Sequence, residues 1–132
     1  MQAVPSQLGP YRLVRLLGEG GMGSVYEAVH LAIERQVAIK ILKPDYARDD
    51  EILARFFNEA RAVNRISHPG IVQVSDVHQT PEGLVYLVME LMRGETLEQR
   101  ITRIEAGGQR MPVDSVLHLA WQVADALSAT HD

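Results

Sequence analysis

The order of hydrophobic periodicities predicts an α+β fold with a mainly antiparallel sheet. Three β-rich runs come first, one long amphipathic stretch follows, and two more β-rich runs then flank a turn. Two further helical stretches complete the 132 residues. Strands and helices are thus grouped and do not alternate, which is the signature of α+β and not of a parallel α/β sheet.

Each element has a local reason. Residues 1–10 hold Pro5, Ser6, Gly9 and Pro10 and read as a loose leader or a turn into the first strand. Tyr11–Leu17 is β-rich but broken by Arg12 and Arg15, as suits a strand with one wet face. Ser24–Val29 and Gln36–Leu42 are the next strands, and Pro44-Asp45 ends the pattern. Asp49–Ile66 is a helix, because Ile52, Leu53, Phe56, Phe57, Ala60, Val63 and Ile66 recur at three- and four-residue spacing. Ser67-His68-Pro69-Gly70 stops it, and His68 reads as a turn residue, not a ligand. Ile71–His78 and Gly83–Met92 form a hairpin about Thr80-Pro81-Glu82-Gly83. Thr96–Glu105 is a short helix stopped by Gly107-Gly108. Val113–His131 is a long one, with Val116, Ala120, Val123, Ala124 and Leu127 on one face and Trp121 packing at helical spacing.

Composition excludes several classes. With 46% hydrophobic and 23% charged residues the chain is globular and not disordered. It has no cysteine, which removes disulfide scaffolds, thiolate metal sites and cysteine nucleophiles. A net charge of −4 argues against a nucleic-acid surface. No apolar run approaches the ~20 residues of a membrane helix, and residues 1–10, with no basic n-region or long apolar h-region, are not expected to be a signal peptide. His30, His78, His118 and His131 have no metal-ligand spacing, so no metal site is expected.

Three features carry chemistry. Gly18-Glu19-Gly20-Gly21-Met22-Gly23 is G-x-G-x-x-G, in which glycines take φ > 0 and N–H groups cradle phosphate oxygens. Met22 at its tip is expected to be exposed. The same string is compatible with a ligand-free hairpin or with a dinucleotide-binding βαβ unit. In that second frame Val25, Ala28, Val29, Ala32 and Ile33 form a helical stripe and Asp45 serves as the ribose acid. Arg12, Arg15 and Lys40 speak against it by interrupting strands that this fold would bury. Lys40 is itself the second feature, a cation inside Val37–Leu42 that either points out from a wet strand face or lies on the buried side. Glu59, beside the apolar stripe of its helix, is the third, and is either a boundary residue that reaches water or a buried-side anion. A buried-side cation and a buried-side anion can pair, and a lysine so held near a phosphate loop is a phosphate-binding arrangement.

Together these motifs resemble the N-terminal lobe of the protein kinases, most closely the bacterial, eukaryotic-like serine/threonine kinases. Leu17–Val25 matches L-G-x-G-x-x-G-x-V, and Val37-Ala38-Ile39-Lys40 matches V-A-I-K. Phe57-Asn58-Glu59-Ala60 lies where the family has its regulatory glutamate, Ser67–Val72 resembles H-P-x-I-V, and Tyr86–Met92 resembles the strand entering the hinge. The resemblance implies an N-lobe with a five-stranded, mainly antiparallel sheet and a regulatory helix, followed by the first C-lobe helices. It divides the chain into a leader at 1–10, N-lobe and hinge at 11–92, and C-lobe helices at 93–132. It implies ATP binding: Gly18, Glu19, Gly20, Gly21, Met22, Gly23 and Ser24 over the phosphates, and Lys40 on the phosphates, oriented by Glu59. Leu17, Val25 and Ala38 enclose the adenine with Met89 as gatekeeper, backbone groups of Glu90 and Met92 meet its edge, and Thr96 lies near the ribose.

The catalytic H-R-D-x-x-x-x-N and D-F-G motifs do not occur in the 132 residues. Asp132 falls where the family helix leads into the first of them. The resemblance therefore implies a lobe without its base or Mg²⁺ ligands, inactive alone, with an H-R-D loop within about ten residues of Asp132 if the frame continues. Mg²⁺ and protein substrates would belong to the full-length enzyme and its C-lobe. A cytoplasmic location is expected, with a downstream membrane anchor left open. A non-catalytic, kinase-like nucleotide-binding or protein-interaction module is the alternative.

Overall fold

In the computed structural model, which describes residues 4–131, the strands form one sheet in the order β1-β2-β3-β4-β6-β5. The strands are β1 (Gln7–Leu8), β2 (Tyr11–Glu19), β3 (Gly23–His30), β4 (Arg35–Leu42), β5 (Val74–Gln79) and β6 (Val85–Glu90). Every neighbouring pair is antiparallel. The sheet has one strand more than expected, because the leader contributes β1, pairing Gln7 with Arg12 and Leu8 with Tyr11. Leu8 is buried, so this part of the leader belongs to the core.

The near-continuous apolar run of β4 follows from its central place. Val37, Ile39 and Ile41 join Leu8, Tyr11, Ala28, Tyr86 and Val88 in one cluster on one face. Leu42 joins Phe56, Ala60, Val74, Val85 and Leu87 on the other. Successive side chains of a strand alternate between faces, so a strand covered on both sides must be apolar throughout. The β3 strand (Gly23–His30) pairs with both β2 and β4. This strand stands where a dinucleotide-binding unit needs a helix, and it overturns that reading.

Helix α1 (Pro44–Ala47) is a single turn in the segment read as a break. Helix α2 (Asp50–Asn64) begins at Asp49, whose Oδ1 accepts the N–H groups of Glu51 at 3.0 Å and Ile52 at 3.1 Å. These bonds satisfy orphan donors of the first turn. Phe56 and Ala60 are buried, with Leu53, Phe57 and Val63 packed around them. The helix ends two residues before Ile66, at Asn64, whose Oδ1 accepts the Val74 N–H at 3.1 Å. The strands after it begin later than expected, at Val74 and Val85. Their turn is closed by Thr80, whose carbonyl accepts the Gly83 N–H at 2.9 Å and whose Oγ1 accepts the Leu84 N–H at 3.1 Å. Gly83 has φ of 91°, a value that excludes most side chains.

The chain divides into two compact units. One holds the sheet with α1 and α2; the other comprises Ile66–Ile71 and the chain from Met92 onward. In this second unit lie α3 (Leu97–Ala106) and α4 (Val113–His131). Thr96 and Gln99 form a capping box at the start of α3. Glu95 binds Arg100 at 2.9 Å and Arg103 at 2.6 Å. These two arginines hold the Glu95 carboxyl down from 4.5 to about 2, the hydrogen bond from Arg103 contributing most. His68 acts as the turn residue expected: its Nδ1 accepts the Gly70 N–H at 2.9 Å, and its Nε2 meets Asp125 Oδ2 at 2.8 Å. No described residue of α4 is buried. Trp121, expected to pack, is 65% exposed, because nothing in this unit lies against its face of the helix.

Candidate functional site

The glycine-rich segment is the end of the β2–β3 hairpin. Its turn closes by a bond from the Gly20 N–H to the Gly23 carbonyl at 2.9 Å. The Met22 carbonyl accepts the Lys43 N–H at 2.9 Å, which draws the loop toward the end of β4. Met22 is therefore half-buried against the Leu42 and Phe56 cluster and not exposed at a free tip, as its place in the sequence suggests.

The glycines separate into two kinds. A Cβ on Gly23 would lie 2.0 Å from the Ile41 carbonyl oxygen, so the β3–β4 pairing itself requires a glycine there. A Cβ on Gly18 or Gly21 would meet nothing, and one on Gly20 only the Gly23 oxygen at 3.8 Å. None of the four has positive φ, contrary to the conformational reason expected for them. The fold thus accounts for Gly23 alone. The bare backbone at Gly18, Gly20 and Gly21 is open for close approach from outside. The loop, together with Glu19, Val25 and Lys40, lines a cavity of about 420 Å³.

Register puts the other candidates in order. Val25 pairs with Lys40, Ala38 with Met89, and Lys40 with Leu87. Alternation therefore sets Val25, Ala38, Lys40 and Met89 on one sheet face, with Ala38 and Lys40 about 7 Å apart along the strand. Leu17 has no partner between the Leu16–Tyr26 and Gly18–Val25 pairs, so a bulge re-aims it; it is 40% exposed. Ser24 pairs with Ile41 and takes the opposite face, where it borders a different cleft with Tyr26 and Ile41. It is not brought to the loop cavity, because it is one residue out of phase with Val25. The Glu90 N–H donates to the Gln73 carbonyl at 3.3 Å, leaving its carbonyl as the group it can offer a ligand. Met92 and Thr96 belong to the second unit; Met92 is 65% exposed, and the Thr96 hydroxyl is engaged in its helix cap.

The pairing of Lys40 with Glu59 is not present. No ion pair joins them among the described residues. Lys40 is half-buried on β4, whereas Glu59 is exposed on α2. The helix is oriented by Phe56 and Ala60, and its far end is tied to β5 through Asn64; neither anchor turns Glu59 toward β4.

One charged pair on this face was not foreseen. Glu27 pairs with Ala38 in the β3–β4 register and is buried, and its Oε2 accepts from Arg15 Nε at 2.6 Å. Arg15 read as the sign of a wet strand face. Its side chain is indeed 66% exposed, and the hairpin register adds that it lies opposite an acid, where opposite charges stabilise a sheet. The signal was available as two opposite charges equidistant from the glycine turn.

Open backbone and a cation suit an anionic group at one end of this face. The apolar strip of Val25, Ala38 and Met89 suits a flat apolar ring at the other. Comparison with known proteins identifies the family. The protein kinase domain family matches residues 11–132. The serine/threonine-protein kinase PrkC of Bacillus subtilis is 38% identical over 123 residues, covering 93% of this chain and 18% of PrkC. The serine/threonine-protein kinase PknA of Mycobacterium tuberculosis is 40% identical over 127 residues, covering 93% of this chain and 28% of PknA. The crystal structure of the M. tuberculosis PknI kinase domain superposes with a TM-score of 0.78 at 32% identity, covering 98% of this chain and 53% of that one. The chain thus spans about half of a solved kinase domain and less than a third of these curated relatives.

Proposed function

The chain belongs to the protein kinase domain family, and from that premise we propose that it is the ATP-binding part of a serine/threonine protein kinase, which transfers the γ-phosphate of ATP to protein serine and threonine hydroxyls. One observation carries the reading: Gly18, Gly20 and Gly21 are bare for no reason internal to the fold, and they border a cavity shared with Lys40. In this reading the N–H groups of the loop and the Lys40 ammonium hold the phosphates. Leu17, Val25, Ala38 and Met89 cover the adenine, and the Glu90 carbonyl and the Met92 backbone meet its edge. Residues 11–92 then act as the nucleotide lobe and 93–132 as the first helices of the substrate lobe.

ATP supplies the transferable phosphoryl group; the residues present bind and orient it. Phosphoryl transfer relies on positioning and on charge neutralisation, and Lys40 contributes to both. In this reading Mg²⁺ belongs to the full-length enzyme, because the H-R-D and D-F-G motifs that supply its ligands do not occur in these 132 residues. No helix among the described residues is long and apolar enough to cross a membrane. The use of ATP supports a separate proposal, that this region lies in the cytoplasm.

Calorimetric titration of ATP into the chain should give weak, saturable binding that Lys40→Met weakens about tenfold, an ion-contact loss of ~1.4 kcal/mol. Binding unchanged by Lys40→Met would overturn the assignment. The separation of Lys40 from Glu59 favours one other reading, a nucleotide-binding module without catalysis. Radiolabel transfer to protein by the chain extended through H-R-D and D-F-G, abolished by Lys40→Met, decides for the enzyme.

A further inference from the structure

The sheet unit has a second cleft, larger than the one under the glycine loop. It has a volume of about 630 Å³ and lies between the leader and the β5–β6 hairpin. Leu8 and Gly9 form one wall; His78, Pro81, Leu84 and Tyr86 form the other. Tyr86 pairs with Ile41 on β4, one position from the Lys40–Leu87 pair. Alternation therefore places this cleft on the sheet face opposite Lys40, and its occupancy is independent of the nucleotide reading.

The chemistry of its floor is unusual. Tyr86 is 3% exposed, and its ring lies against His78 with centroids 5.3 Å apart. Yet among the described residues nothing hydrogen-bonds to the Tyr86 hydroxyl. Buried tyrosine hydroxyls normally find one, because an unmet donor is costly. No side-chain oxygen or nitrogen among the described residues is both fully sealed and unpaired, so this hydroxyl opens into the cleft. Burial raises its pKa, which keeps it protonated as a donor. Gly9, with φ of 53°, leaves room directly above it: a Cβ there would come within 3.1 Å of the hydroxyl oxygen. The His78 ring is fixed from behind by Asp76, whose Oδ2 lies 2.6 Å from its Nε2. No lysine or arginine lines the cleft, and Glu82 lies at its rim, so the local charge disfavours anions.

We infer that this cleft binds a small, flat, uncharged aromatic molecule that presents a hydrogen-bond acceptor to the Tyr86 hydroxyl and its ring face to His78. The volume lies within the ~300–1,000 Å³ of small-molecule sites, and the mostly apolar lining with a buried tyrosine hydroxyl open to it matches their usual make-up. A molecule seated there would bridge the leader and the β5–β6 hairpin and hold β1 on the sheet.

Coumarin is a suitable probe, being planar and uncharged with a carbonyl acceptor. Titrated into the ¹⁵N-labelled chain, it should cause saturable amide shifts at Gly9, Leu84 and Tyr86. Tyr86→Phe, which keeps the ring and the fold, should weaken binding about fivefold, the loss of one hydrogen bond. Coumarin-3-carboxylate should bind more weakly than coumarin by a similar factor. Four results would overturn the inference: no saturable shift at these amides, equal affinity in Tyr86→Phe, equal affinity for the carboxylate, or shifts at these amides that follow protein concentration without coumarin, which would make the cleft a contact between copies of the chain.

Discussion

The sheet unit and the helical unit have similar apolar content along the sequence but opposite fates for it. The buried hydrophobic residues all lie in the sheet unit, on both faces of β4 and β6. In α4, Val113, Val116, Leu117, Trp121, Val123 and Leu127 are all exposed, Leu117 by 62%. A strand meets partners on two faces as soon as the sheet forms. An amphipathic helix buries nothing until a second layer arrives. Contiguous apolar surface of this kind marks a contact site. The two units thus differ in whether their apolar residues are covered by a second layer among the described residues.

The largest effect should come from setting their apolar residues against each other. Ile39→Ala, at a site with no exposure, should cost about 4 kcal/mol, whereas Leu117→Ala should stay within about 0.5 kcal/mol. Urea denaturation followed by site-resolved hydrogen exchange measures both, and a Leu117→Ala cost equal to that of Ile39→Ala would break the contrast. Within the glycine loop the same logic applies on a smaller scale. Gly23→Ala should destabilise the sheet by about 3 kcal/mol, because its Cβ would collide with the Ile41 backbone. Gly21→Ala should leave stability within about 0.5 kcal/mol while weakening ATP binding, a split that separates fold glycines from ligand glycines.

The helical unit depends more on its local caps. Thr96→Ala removes half of a capping box and should cost about 1 kcal/mol, seen as faster amide exchange confined to the first turn of α3. The smallest effect concerns Glu95. Its folded pKa lies at about 2, below the ordinary 4.5, so its pairing with Arg103 and Arg100 stabilises the native state above pH 4.5. That contribution should disappear as pH falls from 4.5 through about 2, and Glu95→Gln should abolish this pH dependence. Carbon-13 titration of the Glu95 carboxyl reads the value directly.

How much was legible in the sequence depended on how local the signal was. The β4 strand, the α2 stripe and the glycine loop were readable, because each is a pattern within about twenty residues. The Gln7–Leu8 strand was not, since its burial comes from pairing back on Tyr11, and two residues carry no period. Ser24 was grouped with the loop by position in the motif. One step of strand alternation removed it, just as it set Val25 beside Lys40. Glu27 and Arg15 looked like unrelated surface charges until the hairpin register placed them opposite each other. Met22 looked like a free tip until the Lys43 N–H drew its backbone toward β4.

By itself the sequence determined the types of the longer elements, the family and the residue types at the candidate site, because periodicity, glycine spacing and the charge inside an apolar strand are properties of neighbouring residues. Only the tertiary structure decided which of those residues share a face and which touch. Lys40 and Glu59 are nineteen positions apart on different elements, and their pairing depends on how α2 lies against the sheet. The packing of Phe56 and Ala60 and the bond from Val74 to Asn64 set that orientation, and they leave Glu59 in solvent. The open hydroxyl of Tyr86 has the same origin: a tyrosine in a strand is ordinary, and only the approach of Gly9 and the leader gives it a cleft to face.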